Sequence, residues 1–397
     1  MKLIRSILLR ATLLLIFFNG LAQPVEIKDP YLILNGRSMD PVYTTYTAAI
    51  ERASLYGDKG YRLTYNSELL PHYYAPDKSG KMFCIWKVGQ VVIPSTREYF
   101  RPPVIEASFP DMVVMNYEPW AGVRVQETFI VYSSGIAMCR LWITNTGSKA
   151  LDIELYPVIL FDKDSLYISE YKDNAIYLKH FESRKRLISN LYSRGGYPTH
   201  WQNILTGDFE PYSFGCYKTD MTGFYDIIKT DFYADDRNDS LNGATNEYAR
   251  FAALHTKLKL IPGESKEIRY FRGMVDATKD LEVFKEIDIL KLTPVQQFAD
   301  SNVALFKSVP RIKFNNNDNR IAYLGAYNLS RGCMLPPSGK TSFNFYVFSR
   351  EPLWGWGHGH QVLHESLSML SYAYLDPVSA QNSQRVYMEQ QGNDGLI

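Results

Sequence analysis

Apolar and polar residues along the first two thirds of the chain follow the pattern expected of β-strands. Between Tyr31 and about Val275, apolar positions either alternate with polar ones or form short runs rich in β-branched and aromatic side chains. Segments 123–132, 136–144 and 150–161 are three such runs, and turns rich in Ser, Gly and Asn separate them. Runs at this spacing predict three strands of a meander.

A Pro-Gly turn indicates a further pair of strands. Pro262 and Gly263 lie between segments 251–260 and 267–275, where a tight reversal of the chain requires residues of these two types. Together, the segments described so far predict a large antiparallel β-sandwich over residues 23–275.

Two polar stretches interrupt the predicted sandwich. Stretches 192–217 and 233–248 are rich in Gly, Asn, Asp and Tyr, and we expect both to be irregular. The second stretch contains three acidic residues between positions 235 and 239, and acidic side chains can bind calcium through their oxygens. Because the EF-hand spacing is absent, we interpret this stretch as a solvated loop and keep calcium binding as the alternative.

After Asp276 the apolar residues recur at helical intervals. One predicted helix covers segment 281–290, and a second covers segment 295–305 and ends at Pro310. The apolar residues of the first helix are Leu281, Phe284, Ile287 and Leu290. We therefore predict a helical linker over residues 276–320.

Three more helices are predicted beyond this linker. Asn residues at 315–317 offer N-cap chemistry for a helix that carries Ile321 and Leu324. An amphipathic helix follows near position 362, and Pro377 is well placed to open the last helix after Asp376. The residues expected to face inward from the amphipathic helix are Val362, Leu363, Leu367, Leu370 and Tyr374.

The first 22 residues have the composition of a secretory signal peptide. Lys2, Arg5 and Arg10 carry positive charge, segment 11–18 is almost entirely apolar, and small residues precede Gln23. The apolar segment is too short to span a bilayer, which requires about 20 residues. We predict cleavage before Gln23, no stable membrane insertion afterwards, and a periplasmic or secreted location.

Composition restricts the remaining functional classes. The formal net charge of the 397 residues is +1, so no strong field favours nucleic acid, and we predict no nucleic-acid partner. The four cysteines contain no C-x-x-C pair, which excludes a zinc ribbon or a thioredoxin motif and leaves disulfide pairing open. No cofactor is indicated. The 14% aromatic content suits either a sugar-handling protein or a β-rich core.

Candidate functional residues crowd together only in segment 351–364. Trp354 and Trp356 lie in a Gly-rich loop, whose backbone can approach a ligand closely, and an indole ring there can form the floor of a sugar site. The alternative is that one or both tryptophans fill a gap between domains. Glu351 either contacts a sugar hydroxyl or pairs with Arg350 or Arg331.

Histidines in the same segment allow two interpretations. His360 and His364 are spaced i, i+4, as in some zinc sites, but the H-E-x-x-H order is absent because Glu365 follows the second histidine. We therefore predict no metal and assign His358 and His360 to hydrogen bonding, either with a polyhydroxylated ligand or with the loop itself.

This segment and the helices around it resemble the start of the catalytic domain in six-hairpin glycosidases. The residues that carry the resemblance are Trp354-Gly355-Trp356, Asp376-Pro377, Ala380, Gln390 and Asp394-Gly395-Leu396-Ile397. The pattern is similar in particular to the family-63 α-glucosidases and the mannosylglycerate-hydrolase-like enzymes. The resemblance implies that residues 321–397 are the first helices of an (α/α) toroid, with the turn at Leu260 to Glu264 resembling the preceding sandwich of the same clan.

Two departures qualify what the resemblance implies. Gly357 stands where the family has an aspartate that contacts substrate, which puts substrate specificity in doubt. A complete toroid requires on the order of 350–400 residues. The resemblance therefore implies that the general acid and general base lie beyond Ile397, and we assign no catalytic residue to this chain.

The sequence thus predicts the N-terminal portion of an exported glycoside hydrolase, inactive as this fragment and acting on an oligo- or polysaccharide when completed. The substrate-binding residues are predicted to be Trp354, Trp356, His358, His360 and Glu351. The alternative is a non-catalytic carbohydrate-binding protein that uses the sandwich and the same tryptophans.

Overall fold

A computed structural model of the protein describes most of the chain beyond the predicted signal peptide. The described residues are 23–54, 60–76, 80–161, 167–180, 201–230, 250–276, 280–348 and 362–396. Two large antiparallel sheets form the first part of the molecule and a helical region forms the last, which confirms the predicted fold class. The predicted signal peptide and the acidic stretch 233–248 lie outside the described residues.

Both large sheets contain eight strands among the described residues. The first sheet comprises β1 (Thr45–Tyr46), β2 (Tyr61–Thr64), β3 (Tyr73–Ala75), β4 (Lys81–Val88), β5 (Val91–Ile93), β10 (Leu151–Leu160), β14 (Ser213–Tyr217) and β15 (Phe251–Leu260). The second comprises β6 (Arg101–Ser108), β7 (Met112–Trp120), β8 (Val123–Ser133), β9 (Ile136–Asn145), β11 (Tyr167–Lys172), β12 (Ala175–His180), β13 (Trp201–Gly207) and β16 (Ser265–Asp276).

Strand order in the two sheets shows that many neighbours are distant in sequence. The first sheet runs β1-β2-β3-β4-β10-β15-β14, with β5 paired to β4, and the second runs β11-β12-β13-β16-β9-β8-β7-β6. Strands β13 and β14 fall within the stretch 192–217 that was expected to be irregular, so that prediction was wrong for these segments. Strand β13 forms because β12 and β16 supply backbone partners on both sides.

The predicted three-stranded meander was also wrong in its third strand. Strands β8 and β9 pair as a hairpin, but β10 leaves for the first sheet and pairs with β4 and β15. Strand β10 buries Ile153 and Leu155 in the core between the sheets, and Tyr156 and Val158 in a second apolar cluster on the outer face. A strand that is buried on both faces needs more packing partners than one neighbouring hairpin strand supplies.

The chain crosses between the sheets at two corners that contact each other. Asn145 ends β9, and its backbone amide donates to the carbonyl of Glu264 at 3.0 Å. The carbonyl of Asn145 in turn accepts from the backbone amide of Gly263 at 2.8 Å. The side-chain amide of Asn145 donates to the carbonyls of Lys149 and Leu260. The Pro-Gly turn is therefore a corner that carries the chain from β15 to β16, and the positive φ of Gly263, +79°, lets the backbone turn there.

The apolar core between the sheets surrounds a buried carboxylate. Glu127 on β8 accepts hydrogen bonds from Tyr74 Oη at 2.6 Å and Tyr117 Oη at 2.7 Å, and its Oε2 lies 2.8 Å from His72 Nε2. Burial raises the pKa of Glu127, whereas the charge of His72 and these hydrogen bonds lower it by a larger amount. The pKa of Glu127 therefore lies below its ordinary value. The core therefore supplies hydrogen-bond partners for this buried carboxylate.

The helical region begins after β16. The described helices are α1 (Met221–Thr230), which lies between strands, and α2 (Asp280–Leu292), α3 (Gln296–Leu305), α4 (Asn317–Gly332), α5 (Val362–Leu375) and α6 (Pro377–Gln390). A short ribbon of β17 (Met334–Leu335) and β18 (Phe345–Tyr346) lies between α4 and α5. Helix α1 was not predicted, whereas the five helices of the C-terminal region confirm the predicted change of periodicity.

Polar contacts dock the linker helices on the sandwich. Arg269 on β16 donates from Nη1 to the carbonyls of Leu290 at 2.6 Å and Thr293 at 2.9 Å, which satisfies the end of α2. On α3, Asn302 Nδ2 donates to Asp111 Oδ1 at 2.8 Å. The linker helices are thus fixed against the second sheet by side chains that reach backbone or carboxylate oxygens.

Helix α4 confirms the predicted N-cap. Asn316 Oδ1 accepts from the amide of Asn319 at 2.9 Å, and Asn328 near the other end donates to the carbonyl of Ser108 at 2.7 Å. Arg320 donates to the carbonyls of Tyr31 and Ile33. The helix therefore joins the helical region to the N-terminal segment of the sandwich.

The inward face predicted for α5 was wrong. The buried residues of α5 are Glu365, Met369, Tyr372 and Leu375. The residues predicted to face inward, Val362, Leu363, Leu367, Leu370 and Tyr374, are instead 54–74% exposed. Both sets of residues recur at helical spacing. Contacts with α4 and α6 determine that the set with fewer leucines is the buried one. The exposed set forms an apolar face, which we call the α5 face.

Candidate functional site

The predicted substrate-binding residues belong to one segment between β18 and α5. Trp354, Trp356, His358, His360 and Glu351 all lie in residues 349–361, which we call the Trp loop, and this segment lies outside the described residues. The structure describes the chain on both sides of the Trp loop, through Phe348 before it and from Val362 after it. The elements that carry the loop can therefore be described.

The two ends of the Trp loop lie next to each other. The rings of Phe348, just before the loop, and His364, in the first turn of α5, have centroids 5.6 Å apart and are tilted by 34°. This contact brings together the described chain on the two sides of the Trp loop. His364 is the one histidine of the alternative metal interpretation that lies among the described residues.

A buried carboxylate lies directly behind the start of α5. Glu365 Oε1 accepts a hydrogen bond at 3.0 Å from Gln384 Nε2 on α6. Burial first, and then the hydrogen bond and charge of Glu365, raise the pKa of Tyr387 on α6 above its ordinary value. Sequence reasoning considered Glu365 only as part of a possible zinc motif and missed its buried contact with α6.

Hydrogen bonds along α6 position the chain that enters the Trp loop. Asp376 caps α6 by accepting from Ser379 N at 3.0 Å, which confirms the predicted opening of this helix. Asn344 Nδ2 donates to Ser379 Oγ at 2.7 Å, and the amide of Tyr346 donates to Ser383 Oγ at 2.9 Å. Strand β18 is therefore fixed to α6 immediately before the loop begins.

Arg331 connects the end of α4 to α5. Its Nη1 lies 3.4 Å from Tyr372 Oη, and burial raises the pKa of Tyr372 above its ordinary value. Arg331 was one of two suggested partners for Glu351, whose position lies outside the described residues. The frame of the Trp loop thus consists of β18, α5 and α6, with α4 behind them.

Among the described residues, no three His, Cys, Asp or Glu side chains come together in a way that could hold a metal ion. None of the described helices is long and apolar enough to cross a membrane. Cys84 and Cys139 are buried free thiols.

Comparisons with known proteins identify no family for this chain. No protein-family model matches it, and no curated protein matches it. Among solved structures, a human-microbiome protein provisionally described as a kojibiose phosphorylase is 9% identical, with a TM-score of 0.37, over 77% of this chain and 40% of that one. The Family GH92 inverting mannosidase from Bacteroides thetaiotaomicron has the same identity and TM-score over 77% of this chain and 38% of that one.

A further solved structure matches a smaller share of this chain. A protein of Escherichia coli provisionally described as an aldose 1-epimerase is 9% identical, with a TM-score of 0.30, over 58% of this chain and 99% of that one. The chain spans less than half the length of the first-named phosphorylase and of the mannosidase. At these scores the similarities supply neither a family nor an activity.

Proposed function

We propose that this chain is the N-terminal part of an exported glycoside hydrolase that holds a sugar ring in the Trp loop. The observation that carries the proposal is the way the loop is mounted, with its ends in contact and its flanking strand and helix hydrogen-bonded to α6. The segment that carries Trp354 and Trp356 therefore begins and ends at neighbouring points of the described fold.

The chemistry of the Trp loop suits a sugar. The apolar face of an indole packs on the C–H face of a pyranose, and His358, His360 and Glu351 supply donors and acceptors for its hydroxyls. The capped start of α6 at Asp376-Pro377 agrees with the order of elements that the six-hairpin resemblance requires. Hydrolysis would need two further carboxylates, roughly 6.5–9.5 Å apart for inversion, and we place these beyond Ile397.

The mounting of the N-terminal segment supports export with cleavage before Gln23. The side-chain amide of Gln126 accepts from Val25 N at 2.5 Å and donates to Val25 O at 2.9 Å. Gln296 on α3 pairs in the same way with both backbone groups of Glu26. Residues directly after the proposed cleavage point are therefore part of the folded sandwich. Removal of residues 1–22 leaves these contacts of Val25 and Glu26 intact.

Polysaccharide binding by residues 23–397 tests the sugar-binding part of the proposal. We expect retardation in affinity gels that contain soluble α-mannan, dextran or xylan, and Trp354→Ala or Trp356→Ala should weaken it at least about tenfold, as expected when a stacked ring is lost. Phe100→Ala serves as the control, because Phe100 is an exposed aromatic residue on a different element. Retardation that is equal in wild type and both tryptophan variants would exclude the Trp loop as the site.

The intact mass of the native protein tests the hydrolase part. We expect a mass well above 45.7 kDa, because the catalytic carboxylates are placed beyond Ile397. A mass slightly below 45.7 kDa, together with polysaccharide binding, would instead support the alternative, a non-catalytic carbohydrate-binding protein.

A further inference from the structure

The outer face of the first sheet is divided into an apolar half and a polar half. Helix α1 covers the apolar half, where Phe224 stacks on Phe251 with ring centroids 4.4 Å apart. The polar half carries titratable and aromatic side chains from four neighbouring strands and the residue before β14. We call this set the outer-face patch: Lys87, Glu154, Tyr212, Ser213, His255 and Lys257.

Strand register brings the members of the patch together. Glu154 on β10 lies opposite Lys87 on β4 and opposite Lys257 on β15. Ser213 on β14 lies opposite His255 on β15. Directly opposite residues on neighbouring strands are close enough for their side chains to interact.

A chain of hydrogen bonds fixes Glu154 at the centre of the patch. Glu154 Oε2 accepts from Tyr156 Oη at 2.8 Å and lies 3.1 Å from His255 Nε2. His255 Nδ1 lies 3.1 Å from Ser213 Oγ, and the imidazole stacks on Tyr156 with ring centroids 4.4 Å apart. Because an ionised carboxylate only accepts, Nε2 carries the imidazole proton and Nδ1 accepts from the Ser213 hydroxyl.

The order serine, histidine, carboxylate is also that of a nucleophilic triad. Ser213 is only 3% exposed, however, and its hydroxyl proton points at a buried imidazole. A nucleophile must reach the substrate atom that it attacks. Ser213 and His255 are therefore positioning residues for Glu154.

The second carboxylate oxygen of Glu154 is available to a ligand. Its described neighbour is Lys87 Nζ at 3.6 Å, an ion pair that is too long for a hydrogen bond. The Glu154 side chain is 19% exposed. Close by on the same face, Tyr212 is 61% exposed, and Lys257 Nζ lies 4.2 Å from the centre of its ring. The patch thus opens to solvent where an ionised acceptor, an ammonium donor and an aromatic ring meet.

We propose that the outer-face patch is a second carbohydrate-binding site, at which Glu154 accepts hydrogen bonds from vicinal hydroxyls of a neutral sugar and Lys257 and Tyr212 contact the same ring. A carboxylate held by two fixed donors offers its free lone pairs in a fixed direction, which suits a pair of neighbouring hydroxyls. The inference rests on the proposed function only for its choice of carbohydrate probes, because the patch shares no residue with the Trp loop.

Two variants test the site in affinity gels that contain α-mannan, dextran or xylan. Tyr212→Ala removes an exposed side chain, and Glu154→Gln keeps the shape of the side chain but removes its charge. Each should weaken the retardation of residues 23–397 by at least about fivefold in a gel that retards the wild type. Phe100→Ala, which removes an aromatic ring that is equally exposed at 59%, should leave the retardation unchanged.

Folding of the variants is checked by thermal unfolding. Glu154→Gln weakens the charge-assisted hydrogen bonds that Glu154 accepts from Tyr156 and His255, and it is interpreted only if it unfolds cooperatively. Tyr212→Ala changes an exposed side chain and keeps the test decisive if Glu154→Gln does not fold.

The outcomes for the two sites are distinguishable. If Tyr212→Ala is retarded as strongly as wild type, or if wild type is retarded in none of the gels, the patch is not a carbohydrate site. Loss of retardation in Trp354→Ala alone would overturn the patch and keep the proposed function. Loss in Tyr212→Ala with none in Trp354→Ala and Trp356→Ala would support the patch and overturn the role of the Trp loop.

Discussion

At the scale of single residues, two carboxylates in the sandwich have opposite relations to solvent. Glu127 is buried between the sheets and is fully used by Tyr74, Tyr117 and His72. Glu154 has one oxygen fixed by Tyr156 and His255, and its side chain is partly exposed to solvent. The first arrangement stabilises the core, whereas the second presents an acceptor to a ligand.

Removing the buried carboxylate should be costly. Glu127→Ala leaves His72 and two tyrosine hydroxyls without their partner in a dry core, so we expect the free energy of unfolding to fall by about 3–5 kcal/mol. Urea denaturation followed by circular dichroism measures the change. Glu51→Ala, at an exposed position, should stay within about 0.5 kcal/mol of wild type. A loss below about 1 kcal/mol in Glu127→Ala would show that the cluster does not stabilise the fold.

Glu154 should make the stability depend on acid pH. Burial raises the pKa of Glu154, but hydrogen bonds from His255 and Tyr156 and the charge of Lys87 lower it to about 2 overall. A carboxyl whose folded pKa is lowered stabilises the fold above its ordinary pKa of 4.5, and this stabilisation is lost as the pH falls towards about 2. Between pH 5 and pH 2.5, wild type should therefore lose more unfolding free energy than Glu154→Gln does, and parallel curves would contradict this.

The same charges should make ligand binding at the outer-face patch independent of pH above about 5. Glu154 remains ionised there, and burial lowers the pKa of His255 below its ordinary value despite the opposing effect of Glu154. Retardation of residues 23–397 in the polysaccharide gels should thus be equal at pH 5.5 and pH 8, and a loss on acidification would indicate that a histidine controls binding.

At the scale of elements, helix caps fix the frame of the Trp loop. Asp376 satisfies the first turn of α6, and Ser379 and Ser383 on that helix hold the chain just before β18 and within it. The frame therefore depends on a helix whose start is defined by a single side chain and the proline that follows it.

Loss of this cap should loosen the frame. Asp376→Ala should lower the free energy of unfolding by about 1 kcal/mol, the usual effect of removing an N-cap side chain. Chemical denaturation measures the change, and Gln381→Ala, at an exposed position inside α6, should have an effect below about 0.5 kcal/mol. Equal effects of the two substitutions would show that the cap does not hold the helix.

At the scale of the whole molecule, the helical region leaves an apolar surface exposed. The α5 face presents three leucines, a valine and a tyrosine to solvent. Exposed apolar patches of this kind favour association with another surface. In the proposed hydrolase, further helices of the toroid would cover it.

Residues 23–397 alone should therefore self-associate through the α5 face. We expect oligomers at tens of micromolar in sedimentation velocity, and a variant with Leu363, Leu367 and Leu370 replaced by Glu should be monomeric with an unchanged melting temperature. Leu69→Glu, at an exposed leucine of the sandwich, should leave the association unchanged. A monomeric wild type at this concentration would contradict the expectation.

Local signals determined much of the organisation of this chain. The change from strands to helices after Asp276, the N-caps at Asn316 and Asp376 and the Pro-Gly turn at Gly263 depend on residues close in sequence, and the structure contains all of them. The turn, however, joins strands of two different sheets and not a tight pair of strands as predicted. Propensities and caps act within a few residues, so a single sequence carries this information.

Long-range packing decided what the sequence left open. Strand β10 pairs in the first sheet with β4 and β15, which lie far away in the chain. Helix α5 buries Glu365 and Met369, although its leucine-rich face was expected to be buried. The same distant pairings placed Glu154, His255 and Ser213 side by side, although they are separated by dozens of residues. Periodicity shows which residues share a face, whereas contacts between elements determine which face is buried and which residues meet.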